Sequence, residues 1–335
     1  MENKPLLQLE NISMVFERKE GLFAPPVKVG AVVDVNVTLN SGEIIALVGE
    51  SGCGKTTMGK VVTGLLHPSE GRVLFKGVDI KQMNRAQYDE FRNGVQMVQQ
   101  DSYAALNPTR TIFQSLSAPI LEKKIVKNKA EARERVSELL KTVELNPPEQ
   151  YLDKYPHQLS GGQRQRILLA RAISLNPKII VADEPVSMID VSLRIAVLNL
   201  MASLNKKLGI AFIYITHDLA TARYIANNGK IVVMYLGKIV ETGNVTEVLN
   251  EPKHPYLQAL VSAVPVPDPR VAKSKRSLPL KSVEMPNPAN PPKGCRFNPR
   301  CPFAFKKCEE VEPELYKYGN GLAACHKLEN KQENI

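Results

Sequence analysis

Long apolar runs are missing: no stretch of the 335 residues reaches the roughly 18 consecutive apolar positions that a membrane-crossing helix needs. The opening Met1-Glu2-Asn3-Lys4 lacks the basic-then-apolar build of an export signal, so the expected location is the cytosol. There is no long internal repeat and no sustained heptad pattern, which removes repeat arrays and coiled coils from the candidates. Aromatic residues are only 6% of the chain and are not interleaved with the basic ones, as a groove for single-stranded nucleic acid would require. Cysteine is nearly absent from the first 294 residues, where Cys53 stands alone. The other four, Cys295, Cys301, Cys308 and Cys325, crowd the tail, and in a cytosolic chain such clustering suggests metal before disulfide.

What is present is ample for a core. With 43% hydrophobic and 23% charged residues, the chain can build one large domain and a smaller appendage. Its net charge of +10 fits a polyanionic partner, whether nucleotide, nucleic acid or the anionic inner face of a membrane. β-branched apolar runs at 43–48, 179–182 and 210–216 are each followed by a Gly-rich, acidic or His-containing turn and then a helical pattern, which reads as a parallel sheet flanked by helices. The earlier segments 6–12, 29–39 and 71–75 alternate between turn residues and predict an antiparallel sheet. A charged helical stretch, mainly 100–155 and reaching to about 175, interrupts the α/β pattern as an inserted subdomain. Segments 231–235 and 238–242, joined by Leu236-Gly237, predict a hairpin. Eight prolines between 264 and 294, accompanied by Arg270, Lys273, Lys275, Arg276 and Lys281, predict an extended connector. The expected division is therefore 1–263, a linker over 264–294, and a Cys-rich tail over 295–335.

Gly49-Glu50-Ser51-Gly52-Cys53-Gly54-Lys55-Thr56 follows the 43–48 strand directly and opens a helix at Thr57, so both the letters and the context are those of a phosphate-binding loop. Glycines let successive N–H groups turn inward on phosphate oxygens, and the helix start adds partial positive charge. Lys55 is expected on the β/γ-phosphates and Thr56 on Mg²⁺. Asp183 and Glu184 end a buried strand, where a phosphate site needs a metal partner and a base for the attacking water. Alone, the pair is a common acidic turn; beside the loop it gains weight. Ser160-Gly161-Gly162-Gln163 starts a second helix with an anion-binding character. One nucleotide does not need two cradles from one chain, so this one is expected to serve the nucleotide of a partner. His217, at the end of the 210–216 strand, is a γ-phosphate donor candidate, and Gln100 a ligand for metal or water. Each of these two, taken singly, would be an ordinary surface residue.

In the order P-loop, Gln100, Leu159-Ser160-Gly161-Gly162-Gln163, Asp183-Glu184 and His217, the sequence resembles the ATPase subunits of ABC transporters over residues 6–250. Gln100-Asp101-Ser102-Tyr103-Ala104-Ala105-Leu106-Asn107-Pro108, Tyr155-Pro156-His157-Gln158, His254-Pro255-Tyr256-Leu257 and the tail cysteines narrow the resemblance to the oligopeptide/dipeptide importers, nearer their F-type subunit than their D-type. The resemblance implies an α/β P-loop NTPase fold with a RecA-like parallel sheet, an N-terminal antiparallel sheet, an inserted helical subdomain and a small metal-binding tail. It implies ATP and Mg²⁺ as ligands, with Phe16 stacking on adenine, Gly49 to Thr57 holding phosphate, Gln100 and Asp183 beside the metal, and Glu184 as general base. Asp190 falls in the loop that contacts the partner ATPase. The implied partners are a homologous second ATPase, two permease subunits at the cytoplasmic face of the membrane and an extracytoplasmic peptide-binding protein, with no nucleic acid. The segment 101–111 falls where the permease docks.

Three departures stand out: Met188-Ile189 precede Asp190 where Ala-Leu is usual, Gln99 replaces an aromatic and Ser102 a proline. The tail cysteines are separated by five, six and sixteen residues, with no CxxC pair. That spacing suits a cubic iron–sulfur cluster or zinc, and the resemblance implies a 4Fe–4S tail. Two rival functions are a soluble ABC-type ATPase acting on nucleic acid or ribosomes, and a redox sensor that retains a nucleotide fold.

Overall fold

The computed structural model describes residues 4–18, 26–264 and 278–331. Adjacent residues of its apolar strands point to opposite faces of one sheet and so feed two separate cores. In β3 (Ile44–Val48), Ala46 and Val48 join one core while Ile45 and Leu47 join the other. β7 (Ile179–Asp183) and β8 (Ala211–Thr216) divide the same way, with Ile180 and Tyr214 on the first face and Val181 and Ile213 on the second. Both strands are buried along their whole length, as parallel strands covered on two faces must be.

The parallel part runs in the order β6 (Val95–Val98), β7, β8, β3 and β9 (Lys230–Tyr235). β10 (Lys238–Asn244) returns antiparallel through Leu236 and Gly237, which gives the expected hairpin. A second, antiparallel sheet is formed by β1 (Leu7–Arg18), β2 (Val27–Leu39), β4 (Glu70–Phe75) and β5 (Val78–Asp79). Helix α1 (Lys55–Val62) contributes Met58, Val61 and Val62 to the core shared by the two sheets. Helix α2 (Arg85–Gly94) adds Phe91, whose ring meets Phe75 edge-on with centroids 5.5 Å apart.

The helical insertion contains α3 (Ile112–Glu122), α4 (Lys129–Thr142), α5 (Glu149–Leu152) and α6 (Gly161–Ile173). Its starts are written locally: Thr111 and Gln114 form a reciprocal capping box, and Asn128 accepts from the Glu131 amide. Leu116, Ile120, Val136, Leu140 and Leu168 then bury the shared face. Helices α7 (Val191–Leu208), α8 (Leu219–Ile225), α9 (Val245–Asn250) and α10 (Pro255–Ala263) complete the α/β part. Among the described residues, no helix is long and apolar enough to cross a membrane.

Four of the basic linker residues, Arg270, Lys273, Lys275 and Arg276, lie outside the described residues, while 278–294 hold neither helix nor strand. Beyond them come helix α11 (Lys306–Glu310), β11 (Tyr316–Tyr318) and β12 (Gly321–Ala323). β12 pairs with β10, Glu241 opposite Ala323 and Thr242 opposite Leu322, so the cysteine-bearing tail extends the main sheet. Glu241 secures this join from within. It is fully buried, and it accepts from the Tyr318 hydroxyl and from the amides of Lys253 and His254.

Candidate active site

The loop between β3 and α1 is shaped by glycines that nothing else could replace. At Gly54, φ is 103° and a Cβ would stand 2.0 Å from the Ala31 carbonyl oxygen. At Gly49, φ is 155° and a Cβ would stand 2.3 Å from the Met234 carbonyl oxygen. Gly54 is also the N-cap of α1 and offers no side-chain oxygen, so the first-turn N–H groups remain available to an anion. Lys55 is buried, with its amine donating to the carbonyls of Gly49 at 2.8 Å and Glu50 at 2.9 Å. Cys53 faces inward, and burial pushes its thiol up, so only its backbone takes part in the loop surface.

Three parallel strands end beside this loop and deliver the acidic and amide groups. Asp183, the last residue of β7, accepts from the Thr56 hydroxyl at 3.2 Å. Burial raises its carboxyl above the usual range, opposed by the Thr56 hydrogen bond. A hydroxyl and a carboxylate at this separation, next to a phosphate loop, are a suitable donor set for Mg²⁺. Glu184 follows in a left-handed conformation, φ 44°, a strained placement for a non-glycine residue that the strand end enforces. Its amide donates to the Ile215 carbonyl at 2.9 Å, locking it to β8. Its two carboxylate oxygens are each engaged: Oε2 accepts from Gln100 Nε2 at 3.1 Å, and Oε1 lies 2.9 Å from His217 Nδ1. One cavity of ≈ 650 Å³ brings the loop residues together with Gln100, Glu184 and His217.

Other expected residues lie elsewhere. Phe16 is 40% exposed on β1 and is not among the residues lining that cavity. Ser160 caps α6 in a reciprocal box with Gln163, its hydroxyl accepting from the Gln163 amide at 3.3 Å. Neither Ser160 nor Gly161, Gly162 or Gln163 lines the phosphate cavity of its own chain. Asp190 occupies the N-cap of α7 without a side-chain capping bond, flanked by the exposed Met188 and Val191. The two turns are neighbours, since a Cβ on Gly161 would stand 3.4 Å from the Met188 carbonyl oxygen. Behind them Arg164 is buried, donates to the Leu159 carbonyl at 2.7 Å and stacks its guanidinium 3.6 Å from the Tyr103 ring centroid. The turn of α6 is thereby tied to the 101–111 segment.

Glu50 makes two contacts that motif spacing did not announce, one to α10 and one to the tail. Tyr256 accepts from the Glu50 amide at 2.8 Å through its hydroxyl oxygen, and Arg300 grips the Glu50 carboxylate with both terminal nitrogens. No local signal links positions 50 and 300.

The four tail cysteines expected at a metal centre are brought together by the fold. Cys295, Cys301, Cys308 and Cys325 do line one cavity together with His326, and the Cys295 amide donates to the Cys308 carbonyl at 2.8 Å. Among the described residues, however, no group of three or more His, Cys, Asp or Glu side chains is arranged to hold a metal ion. The space between the thiols, ≈ 20 Å³, has room for about one water molecule. Burial raises the thiol pKa of Cys295, Cys301 and Cys325, the first to about 12.

Comparison with known proteins agrees with the loop geometry. Residues 32–187 match the family model of ABC transporters, and residues 240–308 match that of the oligopeptide/dipeptide transporter C-terminal region. The chain is 41% identical over 330 residues to the dipeptide transport ATP-binding protein DppF of Haemophilus influenzae, covering 98% of both. It is 42% identical to the oligopeptide transport ATP-binding protein AppF of Bacillus subtilis, covering 96% of this chain and 97% of that one. Among solved structures, cbiO1 of Clostridium perfringens, part of a transporter complex, aligns with a TM-score of 0.62 at 27% identity over 74% of this chain and 92% of its own. The MJ0796 cassette, captured as a post-hydrolysis dimer with ADP and Pi, aligns with a TM-score of 0.61 at 28% identity over 71% and 98%. With its phosphate loop, Glu184 and strand-end His217 lining one cavity, the chain belongs to the ABC transporter family, among the ATP-hydrolysing subunits of its oligopeptide/dipeptide branch.

Proposed function

We propose that this ATPase powers uptake of peptides by closing over ATP with a second, homologous ATPase beneath two permease subunits, which an extracytoplasmic peptide-binding protein supplies. The observation that carries the reading is Glu184 suspended between Gln100 and His217 at the edge of the phosphate cavity. A carboxylate held at both oxygens has its orientation fixed before substrate arrives, which is what a general base for an in-line water requires. Lys55 exchanges its carbonyl partners for phosphate oxygens, and the first-turn amides of α1 take the remaining charge. Thr56 and Asp183 would hold Mg²⁺, which supplies charge neutralisation on the β- and γ-phosphates when bound. His217 donates toward the γ-phosphate as charge develops there.

The second half of the site is assigned to another subunit. Ser160 is exposed at a helix start, the turn 160–163 does not line its own phosphate cavity, and the MJ0796 structure named above is a dimer. Asp190 and the exposed Met188 beside that turn supply further surface for the same contact. Phe16 is assigned to the adenine end of the nucleotide. Docking of 101–111 against a permease, at the cytoplasmic face of the membrane, couples to the turn 160–163 through the stack of Tyr103 on Arg164. Peptide cargo rests on the names of the relatives. The division into an ATPase domain over 1–263, a linker over 264–294 and a tail over 295–335 belongs to the same proposal.

A 4Fe–4S cluster on the four tail cysteines, with zinc as the alternative, is supported by their convergence on one cavity and requires that cavity to open. Iron, sulfide and zinc analysis of anaerobically purified protein decides it, and the absence of all three discards the assignment. For the main proposal, co-expression with the two permeases and the second ATPase is expected to yield a membrane complex whose phosphate release depends on peptide-loaded binding protein. Recovery of a soluble chain that retains nucleic acid through high-salt washing would overturn it.

A further inference from the structure

Glu50 places a carboxylate on the wall of the cavity that receives the triphosphate, an arrangement that repels the substrate unless the charge is held and neutralised. Arg300, 250 positions away, does both. Its Nη1 donates to Glu50 Oε2 at 2.7 Å and its Nη2 to Oε1 at 3.1 Å, a two-pronged contact that fixes the plane of the carboxylate. Arg300 is 5% exposed. It lies near the rings of Tyr235 and Phe297 at 5.8 and 5.7 Å, and its Nε donates to the Ser282 carbonyl at 3.4 Å. The Arg300 amide donates to the Phe297 carbonyl at 3.0 Å, so the residue is carried on the turn that also carries Cys295 and Cys301. Tyr256 holds the Glu50 amide from the same side, leaving Glu50 secured at backbone and side chain alike.

We propose that Arg300 is a positioning residue for the phosphate loop: it draws the Glu50 carboxylate away from the incoming triphosphate and cancels its charge, so that the cysteine-bearing tail sets nucleotide affinity. The assignment rests on the reading of this cavity as the ATP site. Removing Arg300 frees a negative charge beside the phosphates and loosens the first turn of the loop. Affinity for MgATP then falls by about tenfold, the size of one charged hydrogen-bonded pair. Removing the carboxylate as well takes away the repulsion that the arginine had been cancelling.

Equilibrium titration of the full chain with a fluorescent MgATP analogue tests this. Arg300→Ala is expected to raise Kd about tenfold, and Arg300→Lys, which keeps the charge but loses the fork, by less. Glu50→Gln is expected to tighten binding in the Arg300→Ala background about tenfold more than it does in the wild-type background. Wild-type affinity in Arg300→Ala, or an equal effect of Glu50→Gln in both backgrounds, would overturn the assignment, the second by showing that loss of tail structure alone explains the weakening. Wild-type binding that Lys55→Ala leaves intact would overturn the reading of the cavity itself, and the Arg300 assignment with it.

Discussion

The His217 ring nitrogen Nδ1 stands 2.9 Å from Glu184 Oε1, and this contact holds the end of β8 to the end of β7 at the mouth of the phosphate cavity. Gln100 holds the other carboxylate oxygen from the end of β6. Replacing Glu184 with Gln keeps the size and the hydrogen-bonding capacity of the side chain while removing its basicity. Turnover is expected to fall by about 10²- to 10⁴-fold, while MgATP still binds. Phosphate release measured beside nucleotide titration checks this, and near-normal turnover would remove Glu184 from the role of base.

Asp183 offers a prediction with two signs. Burial disfavours its charged form, so the carboxylate is a liability to the unliganded fold that Mg²⁺ would relieve. Asp183→Asn keeps an oxygen that can accept from the Thr56 hydroxyl. The variant is expected to melt about 2 °C higher than wild type without ligand, yet to lose most of the rise in Tm that MgATP gives wild type. Thermal scans with and without MgATP read both effects. A normal MgATP-induced rise would show that Asp183 does not hold the metal.

Ser160 separates a capping role from a role across subunits. Its hydroxyl caps α6, and Ser160→Ala is expected to cost about 1 kcal/mol of stability for that reason alone. A photoreactive side chain at position 160 is further expected to crosslink to the phosphate-loop peptide of the second ATPase, in MgATP and not in its absence. Mass spectrometry of the crosslinked peptides identifies the site. Crosslinks confined to the same chain would leave the turn 160–163 as an ordinary helix start.

What the sequence made legible follows from distance along the chain. The phosphate loop, the acidic strand end and the start of α6 are local patterns, and each sits where spacing placed it. Parallel strands could be inferred from apolar β-branched runs alternating with helical patterns, and their common edge then gathers Gln100, Glu184 and His217. The tail is different. β12 has three residues, too few to carry a period, and its partner β10 lies far back along the chain, with Glu241 opposite Ala323. Arg300 and Glu50 each sit in a motif of their own, and only the folded chain shows that the two motifs touch. Cysteine spacing, conversely, says that four thiols converge but not how much room they leave.

His254 joins the tail to the ATPase core and makes stability depend on pH in a definite direction. The ring is 1% exposed, accepts from the Tyr256 amide at 3.1 Å through Nδ1, and meets the Phe297 ring with centroids 5.8 Å apart. Burial pushes its pKa down to about 3, against an ordinary value of 6.5. The folded chain therefore keeps His254 neutral over a range where the unfolded chain protonates it. Stability is complete above pH 6.5 and is lost progressively as pH falls toward 3, at up to about 1.4 kcal/mol per pH unit. Between pH 7.5 and 5 the loss from this one residue amounts to about 2 kcal/mol, before most carboxylates begin to titrate. His254→Gln removes the titrating group while retaining an acceptor, so it is expected to be less stable than wild type at pH 7.5 and to lose about 2 kcal/mol less on acidification to pH 5. Urea midpoints for both proteins at the two pH values measure the difference. Parallel losses would mean that His254 protonates within the fold, and that the contact between Phe297 and the core is looser than its burial implies.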